Sequence, residues 1–85
     1  MDSGKTGALI AEARKAMGLT QRQLAETLHI SDRTVSKWER GAGFPDVALL
    51  EPLADALGLT VRSLLRGEGE PPEAESAGTV SAAPE

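Results

Sequence analysis

From Lys5 to Leu65 apolar residues recur at three- and four-residue intervals, and no stretch keeps the strict alternation of a half-buried strand. Ala8, Leu9, Ile10, Ala13 and Met17 predict a first helix from about Lys5 to Met17, stopped by Gly18. Thr20 opens Thr-Gln-Arg-Gln, a capping box completed by Gln23, so a second helix is expected from Gln21 to about Leu28 with Leu24, Ala25 and Leu28 inside. Ser31 is the next N-cap candidate and opens a third helix, Asp32 to about Arg40, closed by Gly41. Gly41 to Pro45 reads as a loop. A fourth helix ends at Leu57 before Gly58 and buries Leu49, Leu50, Leu53 and Leu57. Because Pro52 lacks an amide donor, this helix is expected to begin late enough to hold Pro52 in its first turn. Thr60 caps a fifth helix, Val61 to Leu65, closed by Gly67. Five short helices with tight connections predict a compact all-α domain over residues 1–66.

The pattern stops there. Residues 67–85 are built from Gly, Glu, Pro, Ala and Ser, with Val80 the one large apolar side chain. Such a segment buries too little surface to offset its ordering entropy and is expected to be a disordered acidic tail. It also changes the meaning of the net charge of −4. The tail carries Glu68, Glu70, Glu73, Glu75 and Glu85 and no basic residue, whereas all nine Lys and Arg lie in residues 1–66. Between Arg14 and Arg40 six basic residues face three acidic ones, a mildly basic centre that permits nucleic-acid binding without proving it.

Several classes are set aside. The chain has no cysteine, hence no disulfide framework or thiolate metal site. No apolar run approaches the roughly 20 residues of a membrane span, and the opening Met-Asp-Ser-Gly-Lys-Thr lacks a secretory pattern, so a cytoplasmic protein without membrane contact is expected. Gly4-Lys5-Thr6 matches only the end of a phosphate loop, without the rest of that loop or its preceding strand. His29 has no second ligand at metal spacing. No nucleophile elbow or paired-carboxylate pocket occurs, so neither an enzyme nor a cofactor is expected.

The informative unit is Gln21 to Arg40: two short helices joined by a turn of about three residues, the pattern of a helix-turn-helix whose second helix enters the major groove. Counting Gln21 as first, the fourth, eighth, tenth, fifteenth and eighteenth positions are Leu24, Leu28, Ile30, Val35 and Trp38, and the fifth is the small Ala25. At this spacing Trp38 belongs to the core rather than to a base-stacking platform. With Val35 and Trp38 inward, the opposite face of the third helix presents Asp32, Arg33, Ser36, Lys37 and Arg40. Arg33 and Lys37 are long donors one turn apart, suited to guanine O6 and N7. The competing reading of the same spacing is an ordinary solvated charged face.

Four stretches carry a family resemblance: Ala-Arg-Lys-Ala-Met-Gly-Leu-Thr-Gln (13–21), Gln-Leu-Ala-Glu-Thr-Leu (23–28), Ile-Ser-Asp-Arg-Thr-Val-Ser-Lys-Trp-Glu-Arg-Gly (30–41) and Leu-Ala-Asp-Ala-Leu-Gly-Leu-Thr (53–60). Together they resemble the Cro/Xre family of helix-turn-helix regulators, the phage-repressor-like domains, over about residues 6–66. The resemblance implies a five-helix domain, a homodimer on a two-fold DNA operator, no catalysis, and a transcriptional regulator of the repressor kind in the bacterial nucleoid. With the motif intact, the outward face of the third helix gives Asp32, Arg33, Ser36 and Lys37 as the candidate base readers. Gln21 matches the family's phosphate-clamping glutamine, with Arg22, Thr34 and Arg40 and the amides of residues 41–43 as weaker phosphate candidates. Ser31 and Thr34 suit capping or buttressing better than base reading. It implies a partly buried pairing of Arg14 with Glu39, and a dimer surface near Leu59, Val61 and Arg62.

Two positions depart from the family. His29 stands where Gly is common, at a turn position that needs a left-handed backbone. Asp32 places an acid at the groove-facing start of the third helix, where it accepts from a cytosine amino group, caps the helix, or repels phosphate. A reading of a different class is a protein-binding module, such as the antitoxin of a toxin–antitoxin pair, whose acidic tail folds on a basic partner. The scarcity of apolar anchors in the tail counts against it.

Overall fold

The computed structural model describes residues 2–69. The expected disordered tail, and with it the tail-borne protein partner, falls almost entirely on residues 70–85, outside the described residues. The described residues form α1 (Ser3–Ala16), α2 (Gln21–Leu28), α3 (Asp32–Glu39), α4 (Val47–Leu57) and α5 (Val61–Arg66), with no strand among them.

Local chemistry sets most of the boundaries. Asp2 Oδ1 accepts from the amides of Gly4 at 2.9 Å and Lys5 at 3.1 Å, which starts α1 two residues earlier than the apolar pattern does. Met17 caps the other end of α1 and is half-exposed rather than part of the core. At α2 the capping box closes in both directions: the Gln23 amide donates to Thr20 Oγ1 at 3.0 Å, and the Thr20 amide to Gln23 Oε1 at 2.8 Å. Ser31 Oγ accepts from the Thr34 amide at the start of α3.

The expectation for Pro52 is overturned. α4 begins at Val47, so Pro52 is its sixth residue, in the second turn. A proline there removes the amide that would bond the Ala48 carbonyl, a defect costing about 3 kcal/mol in an unsupported helix interior. Burial of Leu50, Leu53, Ala54 and Leu57 on the same helix offsets it, since each fully buried large aliphatic side chain contributes roughly 1.5–3 kcal/mol.

The core is Ile10, Leu24, Val35, Leu53 and Leu64, all wholly buried, with Leu28, Trp38, Leu50 and Leu57 around them. α3 packs on α1 and α2, while α4 and α5 close the other side of the core. The first turns of α1 are gripped from both sides. Thr6 Oγ1 donates to the buried Leu64 carbonyl at 2.8 Å, fixing α1 to α5. On the other side a Cβ at Gly7 would overlap the Trp38 carbonyl oxygen and crowd that of Glu39, so α1 and α3 touch backbone to backbone. Beside this contact Gly41 leaves α3 with φ +75°, directly against Gly4. At the surface Lys5 Nζ lies 2.8 Å from Glu68 Oε2. The hydrogen bond and then the charge of Lys5 hold the Glu68 carboxyl below its ordinary range. Both side chains are more than half exposed, and such a pair contributes little to stability.

Helix propensity alone says Gly7→Ala should stabilise α1 by up to about 1 kcal/mol. The contact with Trp38 reverses the sign: overpacking against backbone should cost about 2 kcal/mol, a fall of roughly 10 °C in Tm. A thermal melt decides it, and an unchanged or raised Tm would remove the α1–α3 contact at this point.

Candidate nucleic-acid interface

The two helices of the informative unit are joined by His29, Ile30 and Ser31. His29 takes φ 59° and ψ 41°, the left-handed conformation. Its amide reaches the Glu26 carbonyl at 3.2 Å and that of Ile30 reaches Ala25 at 2.9 Å, closing the end of α2. Ala25 is buried where the two helices cross. Val35 and Trp38 turn into the core, which leaves Asp32, Arg33, Lys37 and Arg40 exposed and Ser36 half-buried on the outer face of α3. The five polar residues singled out on this helix therefore share one accessible surface.

Their partners differ. Asp32 and Arg33 have open side chains at the start of α3. Asp32 also borders a shallow hollow with Arg22, Glu26 and Ile30, so two carboxylates and one guanidinium share that corner. Arg22 leans toward Glu26 within α2 at 3.8 Å. Arg40 Nε makes a long 3.4 Å contact with Ser36 Oγ. Thr34 is half-buried with its hydroxyl 3.1 Å from that of Ser31. Lys37 lays its aliphatic stem across Gly43, where an added Cβ would come within 3.2 Å of its Cε. Nothing in the sequence pattern marks Gly43 for this role, because the loop after α3 has no periodicity to read.

Behind α3 lies a buried polar network. Arg14 Nε is 2.7 Å from Glu39 Oε2, with side chains 11% and 8% exposed, and Arg14 Nη2 reaches Glu39 Oε1 at 3.2 Å. The remaining arm of Arg14, Nη1, donates to the Leu19 carbonyl at 2.7 Å. The hydrogen bond that Arg14 donates to Glu39 raises the Arg14 pKa further above its already high value, against the opposing effect of burial. Glu39 Oε1 takes a further donor: Gln21 Nε2, at 2.9 Å. The half-buried Gln21, singled out as a phosphate ligand, is thus tied to the carboxylate that anchors α3 to α1. The sequence offers no signal for this contact, because its two residues are eighteen apart on different helices.

Leu59 and Val61 pack in part against the core, Arg62 is exposed, and Val47 and Leu65 are exposed apolar residues on α4 and α5. Among the described residues no helix is long and apolar enough to cross a membrane, and no cluster of side chains suits a metal ion.

Comparison with known proteins delimits the same region. The family model described as helix-turn-helix (HTH_3) matches residues 10–64. The HTH-type transcriptional activator BcrR of Enterococcus faecalis is 39% identical over 59 residues, which are 69% of this chain and 29% of BcrR. The c2 repressor of phage P22, solved in complex with a synthetic operator, superposes with a TM-score of 0.71 at 30% identity, over 74% of this chain and 96% of that one. Hydroxypropylphosphonic acid epoxidase of S. wedmorenis also superposes, with a TM-score of 0.67 at 26% identity, over 74% of this chain and 34% of the enzyme. The chain spans less than a third of BcrR's length and about a third of the epoxidase's.

Two stability measurements follow from this geometry. Glu39→Ala strands a largely buried guanidinium and should cost about 3 kcal/mol, read as a lowered denaturant midpoint at unchanged slope. An unaltered midpoint would mean the pair carries no structural weight. At the turn, His29→Gly relieves the left-handed strain and should raise Tm by a few degrees, whereas His29→Val should lower it. The opposite order would contradict the turn geometry.

Proposed function

Because the chain belongs to the helix-turn-helix family of Cro/Xre type, we propose that it is the DNA-binding part of a sequence-specific transcriptional regulator, a repressor that acts in the cytoplasm on double-stranded DNA. The observation that carries this reading is the division of α3: Val35 and Trp38 are buried, and a continuous polar stripe faces outward. In this reading Arg33 and Lys37 donate to guanine, Asp32 accepts from a cytosine amino group, and Ser36 fits between them. Gln21 and Arg22 at the start of α2, with Thr34 and Arg40, hold the phosphates that set the register. Arg14 and Glu39 are structural and do not touch DNA.

The repressor reading draws on the resemblance to the c2 repressor, which was solved on its operator. The likeness to an activator keeps activation as the other outcome of regulation. The likeness to an epoxidase shows that the fold alone does not decide function. What favours binding over catalysis is the surface of α3, which is a stripe of donors and acceptors rather than a cleft. One eight-residue helix reads few base pairs, so a homodimer on a two-fold operator doubles the contacts. Leu59, Val61 and Arg62, with exposed Leu65 close by in sequence, are the surface proposed for that dimer.

Selection from random duplexes, followed by anisotropy titration at two salt concentrations, tests this reading. An inverted repeat with half-sites about one helical turn apart should be enriched. Arg33→Ala should relax preference at one base pair per half-site and weaken binding by about 1–3 kcal/mol. No enrichment, with no binding even at low salt, would refute it.

A further inference from the structure

The buried carboxylate of Glu39 has three donors on its two oxygens: Nε and Nη2 of Arg14 and Nε2 of Gln21. An ionised carboxylate only accepts hydrogen bonds, so Gln21 must turn its amide nitrogen toward Glu39 and its oxygen elsewhere. Without that contact the two ends of the amide compete for the same positions, and half of the arrangements present an oxygen where an anion would need a donor. One Nε2–H is taken by Glu39 and the other stays available. The paired guanidinium of Arg14 neutralises Glu39, so a phosphate near Gln21 does not meet an isolated negative charge.

We infer that Glu39 is a positioning residue for DNA binding: it fixes the direction of the Gln21 amide so that its free N–H is pre-set for a phosphate oxygen. The inference rests on the DNA-binding reading and deepens it. It separates two roles of one carboxylate: joining α3 to α1 through Arg14, and aiming Gln21 from behind. Preorganisation of this kind appears as affinity without any contact between Glu39 and DNA.

The test needs a variant that removes the carboxylate and stays folded. Replacing both members of a buried ion pair by apolar residues of similar volume is often neutral for stability, so Arg14→Met/Glu39→Leu is the informative pair. It is compared with Gln21→Ala and with the triple variant on the selected duplex, after circular dichroism shows each to be folded at the assay temperature. Gln21→Ala should weaken binding about tenfold, as expected for loss of a hydrogen bond to a charged group. The pair variant should lose a smaller factor, about twofold if only the direction of the amide is lost, the triple variant no more than Gln21→Ala alone, and the preferred sequence should be unchanged. In the free wild-type protein the Gln21 Nε2 proton bonded to Glu39 should exchange with solvent more slowly than the free one, and in the pair variant the two should exchange alike. Losses that multiply in the triple variant, wild-type affinity in the pair variant, or two Gln21 Nε2 protons that exchange equally fast in the wild type would each overturn the inference alone. A wild-type chain that binds no duplex would overturn the DNA-binding reading and this inference with it.

Discussion

An eight-residue helix does not hold its shape in water. Nucleation costs more than so few hydrogen bonds return, and isolated helices shorter than about 12–15 residues are marginal. α3 has eight residues, so everything it presents outward depends on what grips its inward side. That grip has three parts. Val35 and Trp38 enter the core, the Gly7 backbone meets the carbonyls of Trp38 and Glu39, and Glu39 takes Arg14 and Gln21. The apolar part supplies most of the energy. The other two are directional and limit how α3 can slide or rotate. A helix gripped only by two apolar side chains would be free to rock, and a reading surface that rocks loses specificity before it loses stability.

The polar part is costly in isolation. Desolvating a carboxylate and a guanidinium to the extent seen at Glu39 and Arg14 is repaid only if their donors and acceptors are filled, which this network does with the Leu19 carbonyl and the Gln21 amide. An apolar pair of equal volume would serve folding about as well. The argument for the ionic version is therefore geometric: it ties α1, the loop before α2, the first residue of α2 and the end of α3 to one another. These are the segments that must keep their mutual positions for α3 and the start of α2 to act on one duplex.

Much of this was legible where the chemistry is local. The capping box of Thr20 and Gln23 and the hydroxyl of Ser31 gave the starts of α2 and α3, because a cap is satisfied within three residues of its own position. The all-helical fold and the Cro/Xre kinship followed from the apolar spacing of Leu24, Leu28, Ile30, Val35 and Trp38 and from the motifs around it. What was misread or unseen is non-local. Pro52 argued for a late start to α4, but the rule applies to a helix standing alone, and burial of Leu50, Leu53 and Leu57 overrides it. Asp46 gives no side-chain cap that would have marked the true start. Gly7 looks like a weakness in a helical pattern until α3 is placed against it. The contacts of Gln21 with Glu39 and of Lys37 with Gly43 depend on tertiary approach or loop shape, which periodicity does not encode.

The charge distribution then constrains how such a surface works. The outer face of α3 carries Arg33, Lys37 and Arg40 but also Asp32, and Glu26 stands beside Arg22 on α2. Affinity for any duplex grows with the number of phosphates neutralised, each worth nearly one unit in the logarithmic salt slope. With acids interleaved among so few cations, that sequence-independent term is small. In the proposed reading discrimination comes from what α3 touches, while neutral groups such as the Gln21 amide fix the register on the backbone without adding charge. A weak electrostatic background also means less time spent on unrelated DNA, since non-specific sites compete through charge alone. The acids that lower total affinity thereby raise the ratio between the right site and all others, which makes the rigid support of α3 worth its desolvation cost.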